Sequence, residues 1–147
     1  MSAFYTAAYW LGLTPWEQAA TRPARERVRR AGVPVEFIRA DVTALRHAGV
    51  GPGVRLFRHF GTIHGFDRAQ RQGVAREIAA PAADDAALLI LAWAPARRGP
   101  LPRGASRSDL EEGFAGWRVT DEAPVDVTGL PPPRRRVASH VDRFRRT

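Results

Sequence analysis

Two short β-rich runs, set about a dozen residues apart, put the strongest limit on how this chain can fold. The first comprises Val35, Phe37 and Ile38, bounded by Pro34 and ended at Asp41. The second comprises Leu56, Phe57 and Phe60 and is broken by Gly61. The stretch between them is close to the shortest that can join parallel neighbours. A third run, Ala86-Ala-Leu-Leu-Ile-Leu-Ala-Trp93, is apolar throughout, the pattern of a strand covered on both faces. Such runs alternating with helical patterns predict an α/β domain with a mostly parallel sheet of about four or five strands. Ligands of these sheets sit beyond the carboxyl ends of the strands, so Asp41 and the loop from Gly61 to Gly65 fall in the expected site.

Composition narrows the function classes. A chain of 147 residues is expected to form one domain with a real core. Its formal net charge is +8, and all 23 basic residues are arginine. A lysine-free chain rich in Ala, Gly, Pro and Arg points to biased composition, so the charge alone does not predict a nucleic-acid partner. There is no cysteine, hence neither a disulfide framework nor a thiolate metal site. The apolar patch Ala7–Leu13 lacks a positive flank and is not expected to be a signal peptide. No apolar run reaches membrane-spanning length, and a cytoplasmic protein is the expectation.

In chain order, residues 1–20 read as a helical leader and 21–147 as the α/β core. Ser2 caps a first helix ended by Gly12; Thr14, Pro15 and Glu17 carry the signals of a second start. Trp16 there is either core packing or part of a lid against cofactor and substrate. Thr21 or Arg22 opens a further helix with Pro23 in its first turn, ended by Gly32 and Pro34, with its arginines on a solvated face. Asp41 reads as a helix N-cap or a turn residue before Val42–His47. Gly49-Val-Gly-Pro-Gly53 imitates a cofactor loop but precedes a strand, and Pro52 has no N–H, so it is a turn. The run 54–60 carries Arg55, Arg58 and His59, which predicts that it is less enclosed than a central strand or that these groups are partnered.

Asp67 and Gln70 start a helix that ends near Ala80 before Pro81. Arg97, Arg98 and Arg103 follow the buried run and suit either an anionic substrate or a solvated loop. Ser106 or Ser108 caps a helix through Glu112, and Trp117–Thr120 is a strand. Pro131–Arg136 is a stiff connector, and Val137–Arg145 is a last, antiparallel strand at an exposed edge. His59 and His64 have no carboxylate or cysteine at ligand spacing, so no metal site is expected.

The blocks "VEFIRADVTAL" and "LFRHFGTIHGF", followed by "RRGPLPRGASRSDLEEGFAGWRV", resemble class I S-adenosylmethionine-dependent methyltransferases of the small-molecule type. Their pattern there is "FxxGDVTxL … LVLDxGxFHGL", on the third and fourth strands. The resemblance implies a reduced Rossmann-like fold with S-adenosylmethionine as cofactor. It implies that Asp41 accepts a hydrogen bond from the adenine amino group, with Val42 and Gly61 beside it. It places His64 in the loop facing the transferred methyl group, where a histidine can be a general base. A loop histidine without that task is the competing reading.

The glycine-rich loop and the ribose-binding acid of that family have no counterpart in this sequence. In the family the strand order is three, two, one, four, five, seven, six. Losing the first two strands opens a gap of about 14 Å, at about 4.8 Å per strand, between the third and fourth. Direct pairing or another chain must then close it. Three functions are expected in turn. The first is a degenerate or truncated methyltransferase with weak or no cofactor binding. The second is a small-molecule methyltransferase whose cofactor site a partner chain, for instance a homo-oligomer, completes. The third is a basic, non-catalytic binding protein for a polyanion.

Overall fold

The computed structural model describes residues 15–97, 103–126, 128 and 139–147, with 15–21 as backbone alone. Among the described residues three helices and four strands follow one another as α1 (Pro15–Ala31), β1 (Val54–Phe60), α2 (Arg68–Ala79), β2 (Ala82–Trp93), α3 (Arg107–Gly113), β3 (Trp117–Pro124) and β4 (Ser139–Arg146). Short 3-10 turns lie at Leu45–Ala48 and Ile63–Gly65. The leader stripe from Phe4 to Leu11, the connector Pro131–Arg136 and Arg98 lie outside the described residues.

The sheet runs β1-β2-β4-β3. β1 and β2 are parallel, while β4 is antiparallel to both its neighbours. Three strands therefore share one direction and the C-terminal strand opposes them, a reduced Rossmann-like arrangement. The antiparallel pairing expected on this side is present. β4 lies one place in from the rim, and β3 takes the rim.

β2 explains why the core sits where it does. From Ala86 onward its even-numbered residues Ala86, Leu88, Ile90 and Ala92 are buried and its odd-numbered ones half-buried. Across from them, Phe144 faces Leu88 and packs against Phe114 with ring centroids 5.7 Å apart. Ile63, Val74, Ile78, Leu110, Trp117 and Val119 complete the cluster. The capping box on Asp67 and Gln70 is formed, and Ser106 makes the equivalent box with Asp109 on α3. Glu77, buried on α2, accepts hydrogen bonds from the backbone and side chain of Arg46, tying the 3-10 turn to the helix.

Two expectations need correction. The first strand, at 35–39, is not formed: residues 31–41 contain no strand and are exposed throughout. A strand needs a neighbour for its backbone hydrogen bonds, and β1 is the last strand on that side. Val35 and Ile38 are 49% and 46% exposed as a result. Neither direct pairing of this segment with β1 nor a filled gap is therefore found. Second, the helix expected to open at Thr21 or Arg22 is the continuation of a single α1 from Pro15, with Pro23 inside it. A proline within a helix removes one donor and strains the turn before it, without having to end the helix. Of the two roles read for Asp41, the turn is found: its side chain accepts from Thr43, and a 3-10 turn follows at Leu45–Ala48.

Candidate functional site

Asp41 is exposed, and its Oδ1 accepts hydrogen bonds from the Thr43 N–H at 2.8 Å and the Thr43 hydroxyl at 2.7 Å. Those bonds hold its carboxyl below the usual aspartate range. Val42 is half-buried against the core. Gly61 ends β1 with a φ of +90°, a conformation suited to glycine, in open space. Trp16 lies on α1, with its side chain outside the described atoms. Arg97 is exposed just past β2, and Arg103 binds the Asp109 carboxylate at 3.2 and 3.4 Å.

His64 is not a solvated loop residue. It is 4% exposed and stacks on Trp93, with ring centroids 4.2 Å apart and planes 10° from parallel. The pair closes the carboxyl end of β2, where the parallel sheet directs its ligands. On β1, burial pushes the His59 imidazole below its usual pKa. Arg55 pairs with Asp85, and the Arg58 guanidinium lies 4.7 Å above the Phe60 ring. The two arginines of this strand are thus partnered, whereas His59 Nδ1 is buried with no hydrogen-bond partner among the described residues.

Beyond Trp93 an open cleft of about 620 Å³ is bounded by Ala94, Arg107, Thr120, Glu122, Ser139 and His140. Its wall holds a polar cluster that sequence reasoning missed. His140 and Asp142 alternate on β4 and so share the covered face with Ala92 and Ile90. Glu122 is the cross-strand partner of Asp142 on β3. His140 Nε2 lies 3.0 Å from the Ala105 carbonyl and Nδ1 lies 2.6 Å from Asp142 Oδ2. Glu122 Oε1 is 4.0 Å from Nδ1. Asp142 is fully buried, which pushes its carboxyl above the usual range. The available signal was the His-x-Asp spacing at 140–142, hidden by reading this strand as an exposed, arginine-rich edge.

No family model and no curated protein matches the chain. Solved structures do. One is the protein described in "Conversion of a Disulfide Bond into a Thioacetal Group during Echinomycin Biosynthesis", at 21% identity and a TM-score of 0.65, over 84% of this chain and 60% of that one. Another is the mitomycin 7-O-methyltransferase MmcR, at 22% and 0.59, over 84% and 38%. A third is the O-methyltransferase of a trans-AT PKS multienzyme of Brevibacillus brevis in complex with S-adenosyl-L-homocysteine, at 10% and 0.53, over 88% and 56%. The order β1-β2-β4-β3, with β4 opposed, reproduces positions four, five, seven and six of the family's sheet. The fold is that of the class I S-adenosylmethionine-dependent methyltransferases. The chain spans 60% or less of these methyltransferase-fold neighbours.

The described residues fit only part of a methyltransferase cofactor. One carboxylate oxygen of Asp41 is taken by the Thr43 N–H and hydroxyl, which leaves only the other for an adenine amino group if one were bound there. Beside β1, where the family holds the methionine end, the described residues supply no further strand. Among the described residues no helix is long and apolar enough to cross a membrane.

Proposed function

We propose that this chain is a reduced methyltransferase-fold protein that, by itself, binds S-adenosylmethionine weakly or not at all. One observation carries this reading: among the described residues the sheet ends at β1, and the segment leading to Asp41 forms no strand. An adenine contact is left without the groups that would hold the charged amino-acid end. Each charged hydrogen bond lost costs roughly 1.5–3 kcal/mol, so losing several weakens binding by orders of magnitude. Calorimetric titration with S-adenosylmethionine or S-adenosylhomocysteine tests it. No heat at millimolar ligand is the expected result, and low-micromolar binding overturns the reading.

A second reading rests on the apolar surface beside the open edge. Leu56 and Phe60 on β1 are 53% and 46% exposed, and Val35 and Ile38 are similarly uncovered. Exposed apolar residues flanking an unpaired strand suit pairing with another chain. In that case a partner, a second copy being the simplest, completes the cofactor site of a cytoplasmic small-molecule methyltransferase. His64 is then its base and Asp41 its adenine contact, with Trp16, Arg97 and Arg103 toward the substrate. Sedimentation of the chain alone, with cofactor titrated into whatever assembly forms, separates the two readings. A polyanion-binding role has less support, because Arg46, Arg55, Arg71, Arg103 and Arg107 are drawn into ion pairs with local acids.

A further inference from the structure

We propose that Glu122, His140 and Asp142 form a binding site for a divalent transition-metal ion, with Zn2+ as the representative. One ligand atom from each of the three lies within 4.8 Å of the other two. The histidine decides which atom binds. Nε2 faces the Ala105 carbonyl, which can only accept, so Nε2 carries the proton. The lone pair of a neutral ring is then on Nδ1, facing both carboxylates. A ring N–H held by a backbone carbonyl, with the other nitrogen turned to acids, is how metal-bound histidines are oriented.

The buried carboxylate supplies the independent reason to expect a ligand. Asp142 is 0% exposed, and its Oδ1 has no hydrogen-bond partner among the described residues. A fully buried carboxylate oxygen without a donor is costly, and a cation removes that cost. Zinc bonds of about 2.0–2.1 Å at tetrahedral angles set ligand atoms about 3.3 Å apart. Oδ2 is now closer than that to Nδ1 and Glu122 Oε1 farther, so shifts of under about 1 Å admit the ion. Because a metal takes its ligands deprotonated, binding here is coupled to proton release.

The surroundings leave the ion partly open. Glu122 and His140 line the cleft and Asp142 lies behind them, so the remaining positions face solvent and whatever occupies the cleft. Arg107 lies 3.8 Å from Glu122 Oε2, the oxygen not turned to the ring, and is the one competing cation at hand among the described residues. One imidazole and two carboxylates suit Zn2+ or Mn2+ over softer ions. Every ligand is on β3 or β4, so the site does not depend on S-adenosylmethionine binding.

Titration of the full chain with Zn2+ in a non-chelating buffer tests the site. The expected result is one saturable site in the micromolar range or tighter, with proton release. Glu122 is exposed, so Glu122→Gln leaves the fold intact by circular dichroism. It should weaken Zn2+ at least as much as the ~10–100-fold that loss of an outer partner costs. His140→Ala should remove the site. Absence of saturable binding at 100-fold molar excess of Zn2+ overturns the proposal. So does binding that Glu122→Gln leaves unchanged, since the ion would then be held by other histidines.

Discussion

Replacing Phe144 with alanine, alongside Phe60 with alanine, tests where the core of this sheet lies. Phe144 is 0% exposed on β4 between β2 and β3, and its ring packs on Phe114. Phe60 is 46% exposed at the end of β1. Truncating a buried phenylalanine costs about 3–5 kcal/mol, because a cavity remains where the ring was. For a chain of this size each kcal/mol lowers Tm by roughly 2–4 °C, so Phe144→Ala should melt about 10 °C or more below the parent. About half of Phe60 is already in water and no closed cavity follows its removal, which limits its cost to about 1.5 kcal/mol. Chemical and thermal denaturation followed by circular dichroism at low concentration read both. Equal losses for the two variants would refute the placement of β1 at an uncovered edge. The same measurement at high concentration adds a second reading. A Phe60→Ala penalty that grows with concentration would mark the edge as an interface.

Arg46 holds the Glu77 carboxyl below its usual range through side-chain and backbone hydrogen bonds. A depressed folded-state pKa contributes stability that is complete above the unfolded value near ~4.3 and is lost as pH falls through the folded one. Urea midpoints of the parent should therefore fall steeply below about pH 4.3, and those of Glu77→Gln less so. Matching slopes would sink the assignment. Gly104 has a φ of +95°, and a Cβ there would lie 2.5 Å from the Ala94 carbonyl oxygen and 2.6 Å from that of Trp93. Gly104→Ala should lower Tm by several degrees, from strained backbone plus overpacking of about 1–3 kcal/mol. It should also weaken Zn2+, because the next carbonyl, Ala105, orients His140. An unchanged Tm would deny the close approach of this loop to β2.

Local signals are legible wherever the physics is local. The capping box on Asp67 and Gln70, the buried run ending at Trp93, and the turn at Gly49–Gly53 depend on neighbours within a few residues, and each is found where read. The strand proposed at 35–39 fails for the opposite reason. Its sequence suits a strand, but its hydrogen bonds need a neighbour that the described residues do not provide.

The sequence by itself determined the α/β class, the helix starts and the methyltransferase-like order of blocks, because period and capping are properties of short segments. Only the tertiary structure decided that β4 lies inside the sheet. That single placement turns His140 and Asp142 inward and sets Glu122 across from them, 18 residues from His140 along the chain. The tertiary structure also stacks His64 on Trp93. Strand order is fixed by which faces cover one another, and no local pattern encodes it.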